Sequence, residues 1–335
     1  MLIPHVVARA LLPLLVALVP PADARIGSQL KVFLLAGQSN MVGAGEVRAR
    51  EDKNGGKGSL EHLVRDAATR ERYAHLVDGD PDGAPDGAPD GECTWVRRND
   101  VWIAFRGARE VHGELAPGYG AREDAIGPEL GFGHVVGDAF EEQVLLVKVA
   151  WGGKSLAVDF RPPSAGGEVG PSYRALFAEV RQVLEGLGGL FPEYDGEGYE
   201  LVGFGWHQGW NDRINQEFND AYEKNMACFV RDAREELGVP DLPFVIAETG
   251  MSGPEEKHPR ALSLMAAQAA VAQREEFRGT VAFVPTRALY RPKEESPTGQ
   301  AYHWNNNAET YYRIGEDMGH AMLELVEARA GRRGQ

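Results

Sequence analysis

"KVFLLAGQSNMVGAGEV", Lys31 to Val47, decides how the rest of the chain reads. After the lysine comes a run of apolar residues that suits a strand buried on both faces, as central parallel strands are. The run stops abruptly at Gly37-Gln38-Ser39-Asn40-Met41. A serine between amides and a glycine is a poor way to continue a core. At the carboxyl end of a strand in an open α/β sheet, it stands where ligands bind. The question is whether the Ser39 hydroxyl is a nucleophile.

Further strand patterns cover Lys31–Ala36, Gln143–Ala150, Glu200–Trp206, Pro243–Ala247 and Thr280–Val284. Helical patterns over Pro128–Phe140, Ser172–Leu187, Gln216–Leu237, Ala261–Phe277 and about 307–328 lie between and after them. Repeated βα units with right-handed crossovers predict an α/β fold, a parallel sheet between two helical layers. No linker separates two domains, so residues 25–335 read as one. Residues 48–125 break the rhythm and read as a long insertion, solvated and flexible, after the first strand. Within it, Asp78, Asp80, Asp82 and Gly83 resemble the start of a calcium loop. The bidentate acid such a loop needs would fall on Pro89, so calcium is rejected.

The two ends and the composition set limits. Arg9, the apolar run Ala10 to Val19 and the small-x-small Ala22-Asp23-Ala24 form a signal-peptide pattern over residues 1–24. The apolar run is too short and proline-broken to span a bilayer comfortably. Export to the periplasm or cell exterior after cleavage near Ala24 is the expectation, with no integral membrane segment left. A net charge of −15 over 335 residues argues against a nucleic-acid partner. Cys93 and Cys228 match no zinc or redox spacing. Export would permit a bridge between them, but two thiols carry no framework signal.

Polar or glycine-rich stretches follow the expected strands: "AWGGKSLAVDF" after the second, "WHQGWND" after the third and "AETGMSG" after the fourth. "YHWNNNAETYY" sits near the chain's end. In a parallel sheet the loops after the strands leave the same edge and can converge. An alkyl serine needs a base beside it, usually a histidine oriented by a third group, and donors aimed at the developing oxyanion. His303 and His207 are the histidines at strand ends. Gly152 and Gly153 offer unhindered N–H groups, and Gln208 or Asn40 an amide. The Gly-x-Ser-x-Gly elbow is absent at Ser39. "GGKS" is no phosphate loop, because Lys148 stands where the first glycine belongs. No His/Asp/Glu cluster has a compelling metal spacing.

"GQSNM", "GPELGFG", "KVAWGGKSL", "WHQGWND" and "YHWNNNAETYYRIG", in this order, resemble the sialate O-acetylesterase-like branch of the SGNH hydrolases. That branch is similar to carbohydrate esterase family six. The resemblance spans about residues 28–328 and implies a flavodoxin-like three-layer sandwich with no metal or organic cofactor. It implies Ser39 as nucleophile and His303 as base, with Gly153 N–H and the Gln208 amide at the oxyanion. Asn40 shares the nucleophile motif and joins them as an oxyanion or substrate-binding candidate. The implied activity is removal of O-acetyl groups from a carbohydrate through an acetyl-enzyme.

One departure stands out. The family's acid, three residues before the histidine, is Gln300 here. The glutamate that some relatives carry after Gln-Gly is Trp210. Asp212, in the same loop as Gln208, is the expected substitute, with Glu309 or a backbone carbonyl as alternatives. The missing acid leaves open a catalytically silent carbohydrate-binding protein, and the same residues would serve acyl transfer to another sugar.

Overall fold

The computed structural model describes residues 29–79, 93–250 and 252–333, so the expected signal peptide and most of the Asp-Gly-Pro repeat lie outside the described residues. In chain order, β1 (Leu30–Gly37) leads into the short helix α1 (Ser39–Val42) and the two-residue strand β2 (Gly45–Glu46). Then come α2 (Leu60–Arg65), α3 (Arg70–Tyr73), β3 (Arg98–Gly107), β4 (Val111–Leu115) and β5 (Ala125–Ile126). α4 (Glu129–Ala139), β6 (Val144–Ala150), α5 (Pro171–Glu185), α6 (Leu187–Leu190) and β7 (Tyr199–His207) follow. The chain closes with α7 (Trp210–Arg213), α8 (Gln216–Glu236), β8 (Phe244–Ala247), α9 (Pro259–Gln273), β9 (Val281–Val284) and α10 (Ala308–Arg333).

Seven strands form one sheet in the order β4-β3-β6-β1-β7-β8-β9, parallel except for the edge strand β4, and β2 pairs with β5 separately. The sheet is the expected α/β architecture. The expectation for residues 48–125 needs correction. "VWIAF", inside that segment, is the buried half of β3, which pairs in parallel with β6 and carries β4 on its outer side. Its apolar run is as good a strand as the others, and polar flanks on both sides disguised it.

Alternation along β1 divides the core. Phe33 and Leu35 face the layer containing α4 and α10, with Phe132, Tyr311, Ile314 and Met318. Val32, Leu34 and Ala36 face the layer containing α5 and α8, with Phe177, Phe229 and Met226. Full burial of each such side chain stabilises by about 1.5–3 kcal/mol, so both faces of the sheet hold it in place. The glycines of "GPELGFG" and "YYRIG" act at the α4–α10 crossing. A Cβ on Gly131 would lie 2.0 Å from the Tyr312 carbonyl oxygen, and one on Gly315 1.9 Å from that of Pro128.

Register levels the strand ends. Gly37 stands opposite Ala150 of β6 and His207 of β7, and Gly107 of β3 opposite the same Ala150. The chain passes from β6 to β7 across β1, so the order reverses there, and open α/β sheets bind ligands beyond the carboxyl ends of strands at such a point. Among the described residues no helix is long and apolar enough to cross a membrane. Cys93 and Cys228 are thiols with no bridge between them.

Candidate active site

Ser39 opens α1 directly beyond β1, half-buried, and Gln38 before it is buried. A Cβ on Gly37 would sit 2.1 Å from the His207 carbonyl oxygen, so only glycine lets the ends of β1 and β7 close this tightly. The buried Gln38 side chain then stitches two loops. Its Oε1 accepts from the N–H groups of Gly209 (3.1 Å) and Asn211 (3.3 Å), and its Nε2 donates to Asn211 Oδ1 (3.0 Å). Asn211 Nδ2 in turn donates to the Gly153 carbonyl oxygen at 3.0 Å. The loops after β1, β6 and β7 are thereby locked together. Gly153 is exposed, in the left-handed region at φ +67°, and among the described residues its N–H meets no protein acceptor. The same holds for the Ser39 N–H at the start of α1.

Beneath α1 lies an ion pair that the motif reading did not anticipate. Lys148 of β6 and Glu129 of α4 are both fully buried and 2.6 Å apart. Lys148 Nζ also donates to the carbonyl oxygens of Val42, the last residue of α1, and Tyr119, each at 2.8 Å. Glu129 Oε1 accepts from the Gly127 N–H at 2.8 Å. Burial pushes the amine down and the carboxyl up, and each partner opposes that shift in the other. The first lysine of "KVAWGGKSL" is thus the floor of the turn that carries Ser39.

The His303 side reaches Ser39 through Asn40. Asn40 is buried, accepts from the Tyr311 hydroxyl at 2.7 Å and donates to the Tyr302 carbonyl oxygen at 3.1 Å. The residue after the serine is therefore bonded to the residue before the histidine. One contact from each end of the Asn40 amide goes to protein, so it holds the serine turn against the loop that carries His303. The segment after His303 is strained: Trp304, Asn305 and Asn306 have φ of 52°, 53° and 59°. Asparagine tolerates this region, whereas a bulky tryptophan there costs about 1–3 kcal/mol. Asparagine side chains hold the turn. Asn305 Nδ2 donates to the Tyr290 hydroxyl and the Arg291 carbonyl, and Asn306 Nδ2 to the Ala44 carbonyl. Asn307 caps α10 by accepting from the Thr310 N–H. The "NNN" run carried this signal, since asparagine is the non-glycine residue most at home at positive φ.

The expected acid is elsewhere. Asp212 is fully buried and accepts from the N–H groups of Leu156 and Ala157, both at 2.8 Å, and from Gln208 Nε2 at 2.6 Å. It ties the loop after β6 to the loop after β7 and makes no bond to His303. Gln208 Nε2 also donates to the Lys154 carbonyl oxygen at 2.9 Å, with Gln38 Oε1 at 3.3 Å, so its amide protons are engaged inside the clamp and not aimed at an oxyanion. Glu309 pairs with Arg291 at 2.7 Å and accepts from the Tyr73 hydroxyl. Among the described residues no carboxylate or carbonyl oxygen accepts from the His303 ring, whose closest aromatic neighbour is Tyr302 at 4.6 Å. Burial lowers the His303 pKa. His207 is buried with neither ring nitrogen bonded, and burial holds it down at about 4. It is a neutral core histidine. Glu248 holds its neighbouring loop through the Thr286 and Arg287 N–H groups and the Arg287 guanidinium.

This geometry changes what Asp212→Asn should do. Burial pushes the Asp212 carboxyl up to about 6, against the hydrogen bonds that hold it down. A carboxyl raised in the folded state contributes stability at low pH that is lost as pH rises through the folded value. The melting-temperature advantage of the wild type over Asp212→Asn should therefore be larger near about pH 4.5 than near about pH 7.5. Losing one acceptor oxygen should cost about 1–3 kcal/mol and loosen both loops. The acid limb of the rate profile should stay where it is in the wild type; a shifted limb would instead place Asp212 on His303.

The family described as carbohydrate esterase, sialic acid-specific acetylesterase, matches residues 29–324. No curated protein matches the chain. Among solved structures, an Arabidopsis thaliana protein aligns over 88% of this chain and 98% of its own, with 15% identity and a TM-score of 0.56. NanS aligns over 92% of this chain and 100% of its own, with 15% identity and a TM-score of 0.54. A carbohydrate acetylesterase from Xanthomonas citri aligns over 88% of this chain and 56% of its own, with 12% identity and a TM-score of 0.52. At such identities the structural likeness carries the fold.

Proposed function

Because this chain belongs to the sialic acid-specific acetylesterase family of carbohydrate esterases, we propose that it removes O-acetyl groups from a carbohydrate through an acetyl-enzyme on Ser39. Ser39 Oγ attacks the acetyl carbonyl carbon while His303 takes the hydroxyl proton. The negative oxygen of the tetrahedral intermediate is met by the N–H groups of Ser39 and Gly153. The carbon–oxygen bond to the sugar breaks, and His303 returns the proton to the leaving hydroxyl. Water, deprotonated by His303, then attacks the acetyl group and releases acetate and Ser39.

The observation that carries this reading is the Asn40 bridge. It bonds the serine turn to the backbone beside His303 at the strand edge where the Gly153 loop also arrives. Gln208 and Asp212 enter as the clamp that holds the Gly153 loop, replacing the donor and acid roles expected of them. Among the described residues His303 has no carboxylate partner, a weaker base arrangement that in the serine-protease template still leaves catalysis well above water. The pattern of residues 1–24 supports export, so the substrate would be met outside the cytoplasm.

The base must be neutral to accept the Ser39 proton. With its pKa lowered by burial, His303 stays neutral to lower pH than an ordinary histidine. The acid limb of kcat/KM on 4-nitrophenyl acetate should therefore fall below the usual histidine value of about 6.5. A limb above that value would remove His303 as the base.

A further inference from the structure

We infer that the Tyr311 hydroxyl is a positioning group for the base: through Asn40 it holds the peptide from which the His303 side chain departs. This role rests on the esterase reading and goes beyond it, to a residue of α10 outside every loop of the site.

A histidine base is ordinarily aimed by an acid on its far ring nitrogen. Where no such bond is made, the ring is aimed through the backbone that carries it. Here that backbone is strained. His303 is followed by Trp304, Asn305 and Asn306, all in the left-handed region. Such conformations persist only where the surrounding structure over-determines them. The peptide between Tyr302 and His303 is pinned at both ends. Its N–H donates to the Gln300 carbonyl oxygen at 2.8 Å, and its carbonyl oxygen accepts from Asn40 Nδ2 at 3.1 Å. A peptide unit is planar, so these two bonds set its plane and the place of the His303 Cα.

Asn40 holds that carbonyl only while its amide nitrogen faces Tyr302. Tyr311 sets this orientation, because its hydroxyl donates to Asn40 Oδ1 at 2.7 Å. A reversed amide would set oxygen against the Tyr302 carbonyl oxygen. Tyr311 lies fully buried in the first turn of α10, in the core layer of Phe33 and Met41, so its hydroxyl is a fixed point. Burial pushes its pKa up, with the Ala44 backbone opposing, and the group stays a protonated donor at neutral pH. A second tie runs alongside. Asn306 Nδ2 donates to the Ala44 carbonyl oxygen at 2.8 Å, and Thr298 Oγ1 to Asn306 Oδ1 at 2.5 Å. Two side-chain amides thus join the nucleophile turn to the base loop, and Tyr311 fixes the one that bears on the peptide of His303.

The test is Tyr311→Phe in the full chain, which keeps the ring and removes one oxygen. It is assayed on 4-nitrophenyl acetate, well below the melting temperature measured on the same preparation. kcat should fall by about 10- to 100-fold with little change in KM, the scale on which a misplacement of about 1 Å slows a reaction. In a His303→Ala background the same substitution should leave the residual rate unchanged, because the group it positions is gone. An unchanged kcat in Tyr311→Phe would overturn the inference, as would a loss carried by KM or an equal loss with and without His303. Asn40→Ala removes the same tie at its other end. Read in both backgrounds, it carries the same expectation and the same overturning results, so the outcome does not hang on one variant folding. A wild-type chain that releases no acetate would overturn the esterase reading and this inference with it.

Discussion

Ser39→Ala is expected to lower acetate release from 4-nitrophenyl acetate by about 10⁴-fold or more, the scale on which serine hydrolases lose turnover without their nucleophile. The melting temperature should hardly move. Ser39 is half-buried, and its hydroxyl makes no hydrogen bond among the described residues, so removing one oxygen leaves neither a cavity nor an orphaned partner. Its neighbours do the structural work, Gln38 through the Gly209 and Asn211 N–H groups and Asn40 through Tyr302 and Tyr311. Activity and stability therefore separate at this position, unlike at Gln38 or Asn40. A variant retaining more than a few per cent of wild-type turnover would remove Ser39 as the nucleophile.

Lys148→Met should produce the largest loss of stability at any single position considered, about 3–5 kcal/mol by urea unfolding. The substitution leaves the Glu129 carboxylate buried without its cation and takes the donor from the Val42 and Tyr119 carbonyls. Adding Glu129→Leu should restore part of the loss, because a buried carboxylate without a partner costs more than an apolar side chain there. If the two substitutions were additive, the pair would not be acting as a unit. Activity should fall together with stability, since Val42 ends the short helix that Ser39 begins.

Strands β1, β6, β7, β8 and β9 and the main helices were legible because each rests on local pattern: apolar runs between turn residues for the strands, and a longer period for the helices. β3 was not read as a strand, although "VWIAF" has the same pattern. Its neighbours in sequence are polar and irregular, and only its pairing with β6 shows that the segment enters the sheet. Ser39, Gly153 and His303 were legible as candidates because their loops follow strands, and parallel strands deliver such loops to one edge. The partners of Gln208, Asp212, Asn40 and Glu309 were not legible. Each of these side chains has several polar groups within reach in the fold, and spacing along the chain says nothing about which one it meets.

By itself the sequence determined the layered α/β architecture, the edge of the sheet that carries the polar loops, and the serine and histidine offered there. These follow from periodicity and strand direction, which are properties of contiguous residues. Only the tertiary structure decided how hydrogen bonds and charges are shared. It gave Asp212 to Leu156, Ala157 and Gln208, and set Lys148 beneath the nucleophile turn. The physical reason is distance. A hydrogen bond or ion pair needs its partners within about 3 to 4 Å, and these partners are set by how loops far apart in the chain meet above the sheet.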